Sequence, residues 1–289
     1  MSEPVPNLSE PTLLRPLSTY LGAEVAGLDL KAFLDGRPHS SLLEALAQHS
    51  VLIFRDQSLT PEQLLAFSRL FGALEPHVLD QYCMPGNPDI YVLSNVVENG
   101  RNIGNPKDGF GWHTDLSYFA EPTAYTLLYG VETPAEGGDT AFCSTYAAYE
   151  TLPDAERERL RAMRGLHSYR YMHGKRNDVA PLTPAQHART PDVTHPLIRT
   201  HPVTGRKSLY LGGNCLAGLQ GVDDAEAWPF LKEMFAHATK PEFQYRHRWQ
   251  PRDVVIWDNR GTMHTATEYD RERYRRVIWR TSVRGEAPL

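Results

Sequence analysis

From about residue 85 onwards the chain breaks into short β-type runs separated by turn residues, and this rhythm limits the fold more than any other feature. The runs 89–96, 125–132, 139–145, 243–249, 253–259 and 274–283 are rich in Val, Ile, Tyr, Phe and Trp. A further pair, 195–202 and 207–213, flanks Val203-Thr204-Gly205-Arg206 as a hairpin, and Glu98-Asn99-Gly100 reads as another turn. The 22 prolines and 21 glycines supply the many turns that short strands require and a helix bundle does not. Helical spacing interrupts the series at 153–163 and at about 223–238. Upstream, apolar spacing predicts a helix from Ser40. Thr60-Pro61-Glu62-Gln63 predicts a second one, with a capping Thr, Pro in the first turn and Gln three residues after the cap. Residues 50–55 between them read as a buried strand. The expected class is mainly β with flanking helices (α+β). It would be one domain over 12–289, after a loose tail at 1–11, built as a two-sheet barrel or sandwich with helices packed outside. Segments 101–111 and 171–192 show no clear period and are candidate lids over a site.

Composition removes several classes of function. A formal charge of −5, from 30 basic and 35 acidic side chains, gives no electrostatic footprint for nucleic acid. No stretch reaches the roughly 20 apolar residues that span a bilayer, and the N-terminal residues lack the basic and apolar blocks of a signal peptide. Three scattered cysteines, Cys83, Cys143 and Cys215, are too few for a disulfide framework and read as reduced, mostly buried thiols. The expectation is a cytoplasmic protein that binds neither nucleic acid nor membrane.

Three motifs carry chemistry. In Trp112-His113-Thr114-Asp115 an extended backbone turns His113 and Asp115 to one face, although a surface histidine beside an amide-capping Asp would read the same. The apolar run from Val254 delivers His264 just past a turn. Two histidines and a carboxylate are the set used by non-haem Fe(II) oxygenases, which leaves positions open for a chelating cosubstrate and O2, whereas structural zinc closes its fourth position with protein. In 274–282 strand alternation sets Arg276, Ile278 and Arg280 on one face and Arg275, Val277 and Trp279 on the other. Such arginines suit a solvated edge strand or, if buried, the recognition of two carboxylates. The Tyr245-Arg246-His247-Arg248 run reads as a solvated face with packed stems, and His167, His173, His195 and His201 have no partner at ligand spacing.

Together these residues resemble the TauD/TfdA family of Fe(II)- and 2-oxoglutarate-dependent dioxygenases. The likeness runs from Leu21-Gly22-Ala23-Glu24-Val25 through Phe54-Arg55-Asp56-Gln57 and Trp112-His113-Thr114-Asp115 to Gly137-Gly138-Asp139-Thr140, Trp257-Asp258-Asn259-Arg260, Met263-His264 and Arg280-Thr281-Ser282. It implies a double-stranded β-helix core (jelly-roll, cupin-like). It also implies Fe(II) ligation by His113, Asp115 and His264, with Thr140 and Arg276 on the distal carboxylate of 2-oxoglutarate. The interval from His264 to Arg276 is one residue longer than the family's. Alignment from the Arg280 end selects Arg276 over Arg275, as alternation also does. Arg280 matches a position that meets an anionic group of the prime substrate, and His77, Asn95, Tyr118 and Phe119 are candidates to line that pocket.

The implied activity is hydroxylation of a small anionic organic substrate, with O2 consumed and succinate and CO2 released. A hydroxyl placed beside a heteroatom would collapse with C–O or C–S cleavage. The alternative outcome is desaturation or N-oxidation, including isonitrile-type chemistry, on an amino-acid-derived substrate. Halogenation is disfavoured because Asp115 fills the position that halide needs. A non-catalytic barrel binding a small molecule or protein is a further reading, opposed by the complete ligand set and cosubstrate arginine. The family resemblance also implies a homo-oligomer, dimer or tetramer.

Overall fold

The run Val254–Asp258 is apolar at consecutive positions because both of its faces are covered. Val255 and Trp257 point inward with Leu128 and Ile278, while Val254 and Ile256 point outward with Leu127 and Val277. The computed structural model describes residues 13–34, 40–176 and 181–289; the tail expected over 1–11 lies outside the described residues.

Eight strands form the larger sheet, in the order Leu14–Pro16, Ala23–Val25, Val51–Phe54, Val254–Asp258, Thr123–Glu132, Val277–Arg284, Asn87–Ser94 and Cys83–Met84. All these pairings are antiparallel except the one between Ala23–Val25 and Val51–Phe54. A smaller sheet sets Thr140–Ser144 between Gln244–His247 and Thr262–Ala266. Phe142 of this sheet meets Trp257 of the larger one edge-on at 5.3 Å, so the sheets face each other across a shared apolar interior. The strand rhythm predicts these two sheets, and the family resemblance implies their jelly-roll arrangement.

Helices close the outer faces. Ser40–His49 and Pro61–Arg69 place Leu42, Leu46, Leu64 and Phe67 against the outside of the large sheet. Thr60 caps the second of these through Gln63 N–H while Gln63 bonds back to the Thr60 N–H, an arrangement worth about 1 kcal/mol. Thr145–Glu150 and Asp224–Ala238 cover Cys143 and Met263 on the other side. Among the described residues no helix is long and apolar enough to cross a membrane, and all three cysteines are free thiols.

The two aperiodic segments carry structure that hydrophobic period does not reveal, residues 177–180 of the second lying outside the described residues. Within 101–111 the backbone is stitched to the barrel: Asn105 N donates to Val92 O at 2.8 Å and Ala266 N donates to Gly109 O at 2.7 Å. Segment 171–192 contains the end of helix Tyr169–Gly174 and all of helix Pro184–Arg189. The latter is capped by Thr183 and Gln186 in the pattern of Thr60 and Gln63. Of the Tyr245–Arg248 run, Arg246 and Arg248 are exposed, but His247 is fully buried, 3.1 Å from Asp253.

Candidate metal centre and flanking anion pockets

His113 and His264 are cross-strand neighbours. Each backbone N–H donates to the other's carbonyl, at 2.9 and 2.8 Å, which sets the rings 4.2 Å apart. His113 Nδ1 lies 2.7 Å from Gly111 O and donates to it, so Nε2 is left as a lone-pair donor facing the site. His264 is packed by Trp257 at 4.6 Å, and burial, then His113 beside it, pushes its pKa down to about 3. It is therefore a neutral imidazole.

Asp115 completes the group. Its Oδ1 lies 3.6 Å from His113 Nε2 and 3.8 Å from His264 Nε2. One ligand atom from each residue falls within 4.8 Å of the others. Asp115 Oδ2 accepts from Thr126 Oγ1 at 2.7 Å, and Thr126 accepts in turn from Asn259 Nδ2 at 2.9 Å. Asn259 Oδ1 takes both Asp115 N–H and Trp257 Nε1–H, so one amide fixes the orientation of the carboxylate and of the wall beside it. Burial opposes ionisation of Asp115, but Arg280 and the two imidazoles outweigh it and hold the pKa at about 2. Two imidazoles and one ionised carboxylate, clustered on one side of an open cavity, fit a divalent cation at ligand distances of about 2.1 Å.

On one flank a cavity is lined by Leu93, Leu128, Thr140, Trp257, Arg276 and Arg280 beside the triad. Arg276 is buried, its Nε has no protein partner, and burial lowers its pKa to about 10. Thr140 Oγ1 accepts from Trp249 Nε1 at 3.0 Å, which leaves its own hydrogen for the cavity. Arg275, one residue earlier, is exposed and bonds Glu132 at 2.8 and 3.1 Å.

On the other flank the cavity wall contains His77, Asp108, Leu116, Tyr118, Tyr169, Met172, Asn214, Cys215 and Arg280. Arg280 Nη2 approaches Asp115 Oδ1 to 3.1 Å, out of hydrogen-bonding alignment, and its Nε is unpaired. His77 stacks on Tyr91 at 3.9 Å and its Nδ1 accepts from Leu79 N, so Nε2 carries the hydrogen. Burial, then Arg280, lowers its pKa to about 3. The hydroxyls of Tyr118 and Tyr169 are buried without a protein partner. Phe119 packs on Tyr118 at 4.8 Å.

Asn95 departs from the expectation that it lines the substrate pocket. Its side chain is bonded instead to the 271–276 backbone, because the strand Asn87–Ser94 ends just before it and turns away. Sequence reading also missed Thr126, Asn259 and the Asp108 pair. Asp108 accepts from Arg176 at 2.7 Å and from Tyr91 at 3.1 Å. Thr126 did leave a signal, as a polar residue inside a run buried on both faces. His167 and His195 pack ring against ring, and His201 bonds Asp258 at 3.0 Å, all outside the triad.

Residues 13–282 match the family described as taurine catabolism dioxygenase TauD, TfdA family. The alpha-ketoglutarate-dependent 2,4-dichlorophenoxyacetate dioxygenase of Cupriavidus pinatubonensis is 35% identical over 88% of this chain and 92% of its own. Pentalenolactone F synthase of Streptomyces arenae is 34% identical over 86% and 88%. A crystal structure described as a putative alpha-ketoglutarate-dependent taurine dioxygenase from Burkholderia xenovorans superposes with a TM-score of 0.79. It is 33% identical and covers 96% of this chain and 93% of its own. Jelly-roll, triad and match over nearly the whole chain agree: the protein belongs to the TauD/TfdA family, dioxygenases that depend on Fe(II), 2-oxoglutarate and O2.

Proposed function

We propose that His113, Asp115 and His264 hold Fe(II), that Arg276 and Thr140 hold the distal carboxylate of 2-oxoglutarate, and that Arg280 holds an anionic group of the prime substrate. The observation that carries this reading is a pair of buried arginines beside the triad, Arg276 in the wall of one cavity and Arg280 in the walls of both, each with an unpaired Nε. A buried guanidinium with free donors is costly unless an anion meets it. Two such sites fit two anions, the cosubstrate and the substrate.

When bound, iron and 2-oxoglutarate supply the oxidising chemistry that hydroxylates a C–H bond with release of succinate and CO2. The chain's own residues decide which bond is reached. Arg280 and the His77 Nε2–H would grip the substrate's carboxylate, sulfonate or sulfate. Tyr118, Tyr169, Met172, Leu116 and Cys215 offer an apolar and aromatic wall for its body, with two phenol hydroxyls free to donate. Trp257, Leu128 and Ile278 keep water from the interior beside the triad. A hydroxyl placed next to an ether or ester oxygen would collapse with C–O cleavage, and the anionic substrate named for the Cupriavidus relative is an ether of this kind. Three free thiols suit a reducing compartment, the cytoplasm.

The test is a panel of aryloxyalkanoates, alkyl sulfate esters, sulfonates and N-acyl amino acids, scored by succinate release under Fe(II), 2-oxoglutarate and O2. The reading expects an anion to be the best substrate. A neutral or cationic compound in that place would overturn the assignment of Arg280.

A further inference from the structure

We propose that Asn95 is a positioning residue for Arg276, and through it for 2-oxoglutarate. The inference rests on Arg276 being the arginine that meets the distal carboxylate.

The strand Asn87–Ser94 pairs with Val277–Arg284, and Ser94 opposite Val277 is the last pair of that ladder. One more step would set Asn95 against Arg276. At that point the backbone of the first strand leaves: Val96 N is captured by Ser94 Oγ at 3.0 Å. The Asn95 side chain takes over where the ladder stops. Its Oδ1 accepts from Arg276 N at 2.9 Å, and its Nδ2 donates to Arg271 O and Tyr274 O, both at 2.9 Å. One backbone N–H and two carbonyls allow only this orientation of the amide.

Asp270 organises the same turn from within. Its Oδ1 accepts from Glu272 N and Arg273 N, and its carbonyl accepts from Tyr274 N. Those bonds stay within the turn; the exposed Arg275–Glu132 pair and Arg271 over the Phe110 ring at 4.9 Å hold its side chains, while Asn95 fixes its backbone to the end of strand Asn87–Ser94 at three points. Arg276 is the first residue after the turn, and its long side chain enters the cavity from this root. A guanidinium held at a fixed root loses less freedom when it grips a carboxylate, so the anchor acts on cosubstrate affinity.

The experiment is an equilibrium titration of 2-oxoglutarate into the anaerobic Fe(II) enzyme, read by the visible metal-to-ligand charge-transfer band, for wild type, Asn95→Ala, Arg276→Ala and the double variant. Loss of these hydrogen bonds should weaken 2-oxoglutarate about tenfold in Asn95→Ala and leave Fe(II) affinity and prime-substrate KM as in wild type. In the Arg276→Ala background the same change should cost less than about twofold, because the group being positioned is gone. Asn95→Asp, nearly isosteric, turns a carboxylate towards two carbonyls and should lose at least as much, which keeps the test open if the alanine variant folds poorly. Unchanged affinity in both Asn95 variants, or an equal loss with and without Arg276, overturns the proposal. If Arg276→Ala itself leaves 2-oxoglutarate affinity untouched, the assignment of Arg276 fails first and the anchor's role fails with it.

Discussion

Arg280 Nη2 stands 3.1 Å from Asp115 Oδ1, the same oxygen that faces the Nε2 atoms of both triad histidines. One carboxylate thus serves the metal side and the substrate side of the pocket. A cation bound by the triad would draw on that oxygen, and Arg280 would need another anion. Replacing Arg280 with Gln should therefore raise KM for an anionic substrate by a factor of about 10–100, the loss of a charge-assisted contact. Affinity for 2-oxoglutarate should change little. Iron affinity should not fall, since the charge removed is one that repels the metal. Steady-state kinetics and an Fe(II) titration measure the two arms.

Loss of any one of the three triad side chains should abolish coupled turnover without unfolding the protein. His264→Ala removes a buried neutral ligand and keeps the backbone N–H and carbonyl that pair with His113. The anaerobic enzyme with Fe(II) and 2-oxoglutarate should show its charge-transfer band in wild type and none in this variant. A variant that still couples succinate release to product would remove His264 from the ligand set.

Arg275 and Arg276 should separate cleanly. Arg276 is buried in the cavity wall, and Arg275 is exposed and paired with Glu132. Arg276→Ala should raise the 2-oxoglutarate requirement by well over tenfold. Arg275→Ala, which breaks a surface pair worth about 0–1 kcal/mol, should change it less than twofold. Initial rates against 2-oxoglutarate concentration give both numbers.

What was legible in the sequence was whatever a short window repeats. His113 and Asp115 could be read from extended spacing, and Arg276 from alternation with Ile278 and Arg280. The strands could be read from β-branched and aromatic runs. The helix Pro184–Arg189 carried the same Thr-Pro…Gln signal as Pro61–Arg69. It was passed over because it buries no apolar stripe, so periodicity was silent while capping was not. Asn95 was misread for a different reason. Its partners lie on a turn far along the chain, and its role exists only because one strand ends where the other begins. Asn259 and Thr126 are similar: a polar residue in an apolar run signals a buried hydrogen bond, but only the folded barrel shows that its far end is Asp115.

Stability should hinge on a second buried charge group, away from the cavity. Asp258 accepts from Arg260 Nε and Nη2 at 2.8 Å each and from His201 Nε2 at 3.0 Å, all three residues being under 5% exposed. Asp258→Asn leaves buried Arg260 with the half-exposed Glu286, 3.5 Å away, as its remaining carboxylate and should cost up to about 3 kcal/mol, read as a lower urea midpoint. Burial raises the Asp258 pKa, but Arg260 and His201 outweigh it and hold it below the ordinary 3.8. A carboxylate with its folded pKa depressed contributes fully above that value and loses its contribution as pH falls towards the folded pKa. Wild type should therefore lose stability below about pH 4, and Asp258→Asn should show a flatter acid limb.

Gly213 sits at φ +67°, and a Cβ there would collide with Trp112 O and with Cα of His113. The loop carrying the first two triad residues therefore rests directly on this glycine's bare face. In Gly213→Ala either residue 213 or His113 must move, and the His113–His264 pairing resists the second. The expected outcome is a lower thermal midpoint together with weaker Fe(II) binding, since a shift of a few tenths of an ångström at His113 is felt by every donor in the triad. Gly205→Ala is the control: its φ is +70°, but a Cβ there meets nothing within 4 Å. It shares the backbone strain, about 1 kcal/mol, without the collision, so it should lower the midpoint slightly and leave iron affinity at the wild-type value. Equal iron affinity in the two variants would show that the close approach of residue 213 does not hold His113 in place.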